Sequence, residues 1–230
     1  MHSWISFSRF VSVAADLVAR SIYHRLEWPY ARQILSNRRL RLSPVESWQD
    51  PYERWWLDRV EKIWPAGAMP GAYGMCWTRS YLDEPAWRAV GFNKTHPIVR
   101  IKCSIPALAS ALAAVEDHSI LFFLANVRYR PESKLSQLAE GFHRPSRVRV
   151  ASLLAHKRNA FQSEKEVRLL ALTLDKAASE LFIPIEPHEL IAQVMISPHA
   201  SEEQVQEIKT TLSPYGIPCV RSLVLSPKTR

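Results

Sequence analysis

The chain has 230 residues, of which 47% are hydrophobic, so it can bury a sizeable core and is not a disordered protein. Glycine is scarce, with 6 residues, and neither G-x-x-x-x-G-K-[ST] nor G-x-G-x-x-G occurs, which argues against two common nucleotide-binding loops. The formal net charge of +8 favours an acidic partner such as nucleic acid or a nucleotide.

Cysteine and histidine spacing argues against metal sites and indicates the redox compartment. The three cysteines, Cys76, Cys103 and Cys219, lie far apart and form no C-x-x-C pair. No histidine pair has helical metal-ligand spacing. We therefore expect a reduced, cytoplasmic protein without a structural zinc site.

The first twenty residues are predicted to form an amphipathic helix. Their apolar run from Phe10 to Ala19 is interrupted by Asp16 and is too short to span a membrane. The larger apolar residues recur three or four positions apart, at Trp4, Phe7, Val11, Ala14 and Val18. That spacing predicts a helix over 1–20 that docks on a single domain over 21–230.

Hydrophobic periodicity and turn residues predict a mixed series of elements after this helix. Predicted strands cover 21–26, 39–42, 73–80, 98–103, 120–129, a segment ending at 172, 181–185, 191–197 and 220–225. Predicted helices cover 29–35, the Trp-rich segment 55–63, 85–90, 107–115, the centre of 145–161 and 201–212. Because strands and helices mix without strict βαβ alternation, the predicted fold class is α+β, with mostly antiparallel sheets and surrounding helices.

Charged residues lead into a buried strand at residues 163–172, Ser-Glu-Lys-Glu-Val-Arg-Leu-Leu-Ala-Leu. Because strand side chains alternate between faces, Glu164, Glu166 and Arg168 project to one side. Charge beside a buried strand is costly unless it is paired. Two interpretations stay open: Arg168 neutralises the carboxylates on a solvated edge, or the carboxylates contact a ligand hydroxyl or a developing cation.

Several segments resemble the bacterial domain-of-unknown-function family 2971 in order along the chain. The matching segments are Ala31–Leu42, Ser47–Glu53, Cys76–Trp87, Leu154–Arg168 and Leu190–Pro198. The chain departs from the family pattern at Gln49, where the family has Asn, and at Trp77-Thr78, where it has Phe-Ser. The resemblance covers residues 20–225 and implies kinship, because the family name carries no activity.

A more distant resemblance is to ADP-ribosyltransferase-like proteins, which have a Tyr/His on an early strand, a hydroxyl residue on a middle strand and a Glu on a late strand. It implies an enzyme that uses NAD on a macromolecular target, in bacterial defence or a toxin system. The NAD-binding residues that it implies are Tyr23, His24, Arg25, Trp77, Thr78 and Ser80. The catalytic residues that it implies are Glu164, Glu166 and Arg168, and a fixed carboxylate would stabilise the positive charge that develops on the ribose.

Basic residues near the glutamates are a candidate anion-binding surface. They are Arg147, Arg149, Lys157 and Arg158, and they are predicted to form a positive rim that contacts phosphate, or alternatively a solvated helix face.

Other residues have plausible structural roles. Asp50 and Glu53 fit the start of a helix, with Asp50 as the cap. For His24, the alternative to a ligand contact is a hydrogen bond to a carbonyl in the core.

Two rival functions stay open. A metal-dependent nuclease would hold magnesium with Asp50, Glu164 and Glu166 beside Lys157, although the usual Glu-x-Lys strand pattern is missing. A non-enzymatic nucleic-acid or protein-binding module would use the glutamates only as an ion-paired edge. The transferase hypothesis makes the sharpest structural prediction: Tyr23 or His24, Thr78, and the two glutamates should converge on one cleft.

Overall fold

The structure, a computed structural model, describes residues 4–48, 50–63, 70–81, 84–91, 95–140, 146–174 and 179–225. Its strands are β1 (Trp4–Ser6), β2 (Val11–Ala14), β3 (Ser21–Glu27), β4 (Arg39–Pro44), β5 (Ala72–Thr78), β6 (Ile98–Ser104), β7 (Leu121–Asn126), β8 (Arg128–Arg130), β9 (His156–Arg158), β10 (Glu166–Leu172), β11 (Leu181–Pro184), β12 (Gln193–Ile196) and β13 (Cys219–Arg221). Its helices are α1 (Trp28–Asn37), α2 (Pro51–Ile63), α3 (Glu84–Gly91), α4 (Ile105–Ala113), α5 (Glu132–Glu140), α6 (Arg147–Leu154), α7 (Pro187–Leu190) and α8 (Glu202–Leu212). Across these ranges no helix is both long enough and apolar enough to cross a membrane.

A large mixed sheet forms the centre of the described structure. Its strand order is β1-β2-β7-β10-β5-β3-β6-β12-β13, and β4 joins it at β5 while also pairing with β11. The β2–β7 and β12–β13 pairs are parallel, and the other neighbours in this sheet are antiparallel. The short strands β8 and β9 form a separate parallel pair. The predicted mixture of helices with a mixed, mostly antiparallel sheet is therefore confirmed.

The central strand β10 is buried on both faces, and this divides the core in two. Val167 and Leu169 belong to the larger hydrophobic cluster on one face. Leu170 and Leu172 belong to a smaller cluster on the other face, together with residues of α6. Arg168 alternates with Val167 and Leu169 and therefore projects toward the smaller cluster, inside the protein rather than on a solvated edge.

Strand β5 has different partners at its two ends, and this arrangement opens a cleft. One edge of β5 pairs with β10 along its whole length. On the other edge, Ser43 of β4 pairs with Gly74, whereas Tyr23 of β3 pairs with Thr78. Because β3 and β4 share this edge but diverge, the middle of β5 around Cys76 is left open between them.

The predicted N-terminal helix is wrong, since strands β1 and β2 occupy that segment. Strand β2 lies between β1 and β7, and its Val11 and Val13 are buried. Phe7 and Val18, which the helix would have buried, are 46% and 42% exposed. The β-branched valines alternate with Ser12, a pattern that suits a pleated sheet, so strand pairing outweighed the helical spacing.

The predicted strand over 120–129 is divided into β7 and β8. The division lies at Val127, whose N–H donates to the Glu166 carbonyl at 3.0 Å. Strand β8 then leaves the large sheet and pairs with β9. The helix predicted within 145–161 ends at Leu154, and β9 follows at once. Because of these short elements, Lys157 and Arg158 on β9 lie close to the first residues of β10.

Candidate active site

A pocket of about 1060 Å³ occupies the opening between β3 and β4. Ligand pockets in proteins commonly measure about 300–1,000 Å³, so this one can hold an extended ligand. Helix α1 and strands β4, β5, β9 and β10 all contribute to its wall. The chemically active residues among those lining it are His24, Arg39, Arg41, Trp48, Asp50, Glu53, Cys76, Lys157, Arg158, Glu164 and Glu166.

Arg168 binds two glutamates behind the wall of this pocket. Its Nε donates to Glu166 Oε1 at 2.8 Å and its Nη2 donates to Glu166 Oε2 at 3.2 Å. The same guanidinium also bonds Glu53 and the Leu154 carbonyl. Arg168 has no exposed surface, and both glutamates are buried. A bidentate arginine fixes the plane of a carboxylate, so Arg168 orients Glu166 toward the pocket.

Lys157 joins the two glutamates predicted to be catalytic. Its Nζ lies 2.8 Å from Glu164 Oε2 and 3.2 Å from Glu166 Oε2. The Glu164 side chain is 44% exposed, whereas that of Glu166 is 4% exposed. The structure therefore brings both glutamates to one pocket, with Glu164 at the mouth and Glu166 anchored in the wall.

Asp50 and Arg158 form a second ion pair at the pocket. Arg158 Nη2 lies 2.9 Å from Asp50 Oδ1, which also accepts the Tyr52 N–H at 3.1 Å at the start of α2. Asp50 thus caps the helix, as its position in the sequence predicted. Its Oδ2 and the Arg158 Nε are buried atoms with no hydrogen-bond partner among the described residues. These two atoms leave hydrogen-bonding capacity for a bound molecule.

Burial and the neighbouring cations have opposite effects on the pKa values of the buried glutamates. Burial alone would raise the pKa of Glu166, but Arg168 and Lys157 outweigh it and lower this pKa to about 2. Burial likewise opposes the charge on Lys157, yet Glu166 and Glu164 raise its pKa above the ordinary value. For Glu53, burial raises the pKa by more than Arg168 lowers it. Glu166 consequently stays ionised throughout the physiological pH range.

The Trp48 ring packs on the buried Arg168 guanidinium, and this position of the ring requires a glycine at residue 74. The Arg168 guanidinium lies over the Trp48 ring, 4.5 Å from its centroid. The edge of the same indole lies against Gly74, where a Cβ would be 3.0 Å from Trp48 Cη2 and closer still to Cζ2. Only glycine leaves room for the indole at this position of β5.

We expect Gly74→Ala to destabilise the protein by about 1–3 kcal/mol, because the added methyl displaces Trp48 from Arg168. Thermal or urea unfolding measures this loss. Gly91→Ala is the matched control, since a Cβ there meets Ile98 Cγ1 at an ordinary 3.5 Å. Equal stability of the two variants would contradict the packing role assigned to Gly74.

His24 lines the pocket in the gap between β3 and β5. Its Nδ1 lies 2.8 Å from the Cys76 carbonyl oxygen. A carbonyl only accepts, so Nδ1 carries the proton in this hydrogen bond. Burial lowers the pKa of His24, which keeps the ring neutral and leaves Nε2 as an acceptor. The carbonyl bond expected as the structural alternative is present, and the side chain faces the pocket as well.

Thr78 and Tyr23 lie near the glutamates but do not line the pocket. Thr78 is directly opposite Glu166 on the neighbouring strand, and its hydroxyl donates to the Glu164 carbonyl at 2.6 Å. Tyr23 pairs with Thr78 across β3 and β5, but its ring packs against Tyr81. Thr78 is thus placed to fix the backbone of Glu164 rather than to contact a ligand.

Three other residues predicted to bind NAD also lie away from the pocket lining. Arg25 Nη2 donates to the Ser80 carbonyl at 3.4 Å, and its guanidinium lies over the Trp87 ring. The Ser80 N–H donates to Thr78 Oγ1 at 3.0 Å. Trp77 is buried, with its ring centroid 5.4 Å from that of His24. The contacts of Arg25, Ser80 and Trp77 are thus with neighbouring residues of the fold.

The four predicted anion-binding residues do not form one rim. Lys157 and Arg158 line the pocket, whereas Arg147 and Arg149 do not. Arg147 donates to the Leu172 carbonyl at 3.4 Å, at the far end of β10. Six residues of strand separate that carbonyl from the start of β10, a distance of about 20 Å. Helix α6 runs from the far end of β10 back toward its first residues. Arg147 and Arg149 therefore lie away from Lys157 and Arg158, although the four residues are close in sequence.

Sequence reasoning missed part of the charged cluster. Glu53 was predicted to stand at the third position of a helix capped by Asp50, yet its carboxylate bonds the buried Arg168. Trp48 and Cys76 were not singled out, although both line the pocket and the Cys76 thiol hydrogen-bonds Glu166. The sequence feature that could have indicated the contact between Glu53 and Arg168 is the acidic pair Asp50 and Glu53, because a buried arginine on β10 requires a second carboxylate.

Metal binding was the alternative use of these carboxylates. Within the described residues, no group of three or more His, Cys, Asp or Glu side chains is arranged to hold a metal ion. The Lys157 ammonium lies between Glu164 and Glu166, at the position a divalent cation would take. The ammonium group of Lys157 thus offsets negative charge of Glu164 and Glu166.

No family model matches the chain, so the resemblance to the domain-of-unknown-function family 2971 stays a prediction. No curated protein matches it. Among solved structures, Thermus sp. 2.9 DarT in complex with carba-NAD+ has 15% identity and a TM-score of 0.41, over 88% of this chain and 95% of that one. The same protein in complex with ADP-ribosylated ssDNA has 14% identity and a TM-score of 0.40, over 88% and 93% of the two chains. At these values the chain is similar to DarT, and no residue role is transferred between them.

Proposed function

We propose that this chain is an NAD-using, ADP-ribosyltransferase-like enzyme that acts on nucleic acid. The observation that supports this most is an ionised carboxylate, Glu166, held by Arg168 and Lys157 in the wall of a large pocket. In the reaction, the bond between ribose C1′ and the nicotinamide nitrogen breaks, and neutral nicotinamide leaves with the electron pair. The positive charge left on the ribose is what a fixed carboxylate stabilises.

The pKa of Glu166 favours electrostatic stabilisation over proton transfer. A general base works best when its pKa is near the operating pH, and a pKa of about 2 makes Glu166 a weak base. Its oxygens accept three hydrogen bonds from Arg168 and Lys157, and a carboxylate has about four acceptor positions. The fourth position is occupied by the Cys76 thiol, a weak donor that a ribose hydroxyl would displace.

The neighbouring residues take supporting roles in this proposal. Glu164, at the exposed mouth, accepts the proton that the acceptor loses when it attacks C1′. His24 offers its Nε2 to a hydroxyl of the bound dinucleotide. Arg168 is a positioning residue, because it has no surface in the pocket. Thr78 fixes the Glu164 backbone.

A basic surface beside the glutamates supports nucleic acid as the acceptor. Arg79 and Lys165 are both exposed, and the Arg79 N–H donates to the Lys165 carbonyl at 3.0 Å. Arg130 lies nearby on β8, next to Arg158 of β9. These cations adjoin the mouth at Glu164, where a phosphate backbone would bring an acceptor base to the ribose.

The rival functions have less support from the geometry. A nuclease needs carboxylates free to hold magnesium, and Lys157 already bridges Glu164 and Glu166. A binding module that used the glutamates only as a solvated edge would expose them, but Glu166 and its partner Arg168 are buried.

We expect NAD to stabilise the protein and nicotinamide to be released when a single-stranded oligonucleotide is present. At a hundredfold excess over the dissociation constant, bound NAD adds about 2.7 kcal/mol, which raises the melting temperature by about 5–10 °C for a chain of this size. Labelled NAD then shows whether DNA, RNA or protein carries the transferred group. Magnesium-dependent cleavage without any effect of NAD would favour the nuclease, and salt-sensitive binding without turnover would favour the binding module.

A further inference from the structure

A second charged wall of the pocket takes no part in the proposed bond cleavage. In β4, Arg39 and Arg41 alternate with the buried Leu40 and Leu42, so both arginines project from one face of the strand. Both arginines line the pocket. Neither coincides with the positions at which the resemblance places NAD-binding residues.

Strand register sets this wall opposite the glutamates. Ser43 pairs with Gly74, and the two strands run antiparallel from there. Arg41, two residues before Ser43, is therefore level with Cys76, two residues after Gly74, each displaced by about 7 Å along its strand. Cys76 in turn is paired with Arg168 on β10. The arginines of β4 thus project from the same face of the sheet as the glutamate cluster, across the cleft.

Aromatic side chains accompany these arginines. The Arg39 guanidinium lies 4.0 Å from the centroid of the Phe182 ring. Phe182 is 39% exposed and Tyr30 is 53% exposed, and both line the pocket. Large exposed aromatic rings beside guanidinium groups suit a base attached to a phosphate.

The two walls carry opposite charge. Near β10, the carboxylates of Asp50, Glu53, Glu164 and Glu166 outnumber the cations of Lys157, Arg158 and Arg168.

On β4 the balance is reversed. Arg41 pairs with Glu180, whereas Arg39 has no carboxylate partner among the described residues. The pocket is therefore acidic at one wall and basic at the other.

We propose that Arg39 and Arg41 bind the diphosphate of the dinucleotide and that Tyr30 and Phe182 stack against its adenine; this rests on the proposed function. The substrate has the matching charge pattern, since its nicotinamide ring is positive and its diphosphate is negative. Guanidinium groups bind phosphate oxygens through paired, charge-assisted hydrogen bonds. The nicotinamide end then reaches the glutamates while the adenylate end remains on β4.

Binding of substrate fragments tests this subsite. ADP contains the adenosine and both phosphates of NAD, whereas nicotinamide riboside contains the nicotinamide and its ribose without any phosphate. We expect the double variant Arg39→Gln/Arg41→Gln to weaken ADP and NAD binding about tenfold or more in calorimetry, and to leave nicotinamide riboside binding unchanged. Arg38→Gln is the matched control, because Arg38 is exposed, pairs with Glu186 and does not line the pocket.

A second variant tests the aromatic contact. Phe182→Leu keeps an apolar side chain but removes the ring, so it should weaken ADP binding and spare inorganic pyrophosphate. The subsite is overturned by unchanged ADP affinity in the double variant, by an equal loss in Arg38→Gln, or by a loss confined to a single-stranded oligonucleotide.

Failure of the subsite is distinguishable from failure of the function. If ADP binding depends on Arg39 and Arg41 but no nicotinamide is released, the nucleotide subsite stands and the transferase fails. If NAD is consumed and Glu166 is required, while ADP binding ignores both arginines, the transferase stands and the subsite fails.

Discussion

Replacing Glu166 by glutamine is expected to lower NAD turnover by about a hundredfold or more, because the amide keeps the shape of the side chain but removes the charge that stabilises the ribose cation. Glutamine also disturbs the pairing with Arg168 and Lys157, so the variant should be less stable. The pKa of Glu166, lowered from 4.5 to about 2, corresponds to about 3 kcal/mol of stability at neutral pH.

Loss of stability must therefore be separated from loss of chemistry. Glu53→Gln is the matched control, since Glu53 is equally buried and bonds the same Arg168. Turnover is measured well below the melting temperature of both variants. We expect both to melt early and only Glu166→Gln to lose most of its activity. If Glu166→Gln melts early yet keeps full turnover, Glu166 is structural and the catalytic assignment is wrong.

The secondary structure predicted from the sequence is more accurate around the pocket than in the N-terminal twenty residues. Local patterns were sufficient for α1, α8 and β10, because a proline in the first turn, a capping box and a buried apolar run are encoded in adjacent residues. At Val11 and Val13 the helical spacing of apolar residues competed with the β preference of branched side chains. The outcome depended on pairing with β7, which lies more than a hundred residues away.

In the candidate site, too, features set by neighbouring residues could be predicted, whereas contacts between distant parts of the chain could not. That Glu164, Glu166 and Arg168 share one side followed from strand alternation alone. That Lys157 bridges the glutamates followed from no pattern, because it depends on β9 pairing with β8. The inward turn of Glu53 required knowing that Arg168 is buried, and burial on both faces is a property of the assembled sheet.

Replacing Arg168 by methionine is expected to give the largest loss of stability, about 3–5 kcal/mol at pH 7. Methionine fills much of the space but leaves the buried carboxylates of Glu53 and Glu166 without their cation. Arg147→Met is the matched control: Arg147 bonds only carbonyls in the described structure, so its loss should cost about 1 kcal/mol. Urea unfolding at pH 7 measures both values.

The pH dependence shows whether unpaired carboxylates cause the loss. In the native protein the pKa of Glu166 is below its unfolded value of 4.5, so its contribution is complete above pH 4.5 and disappears as the pH falls toward 2. Without Arg168, burial raises the pKa of Glu53 further above the unfolded value, and Glu166 keeps only Lys157 as a cation, so the variant gains relative stability as its carboxylates become protonated. The difference between native protein and Arg168→Met should therefore narrow between pH 7 and pH 4, while that for Arg147→Met stays constant. A difference that does not change with pH would mean that Arg168 stabilises the fold by packing alone, and that the ionised state of Glu166 does not depend on it.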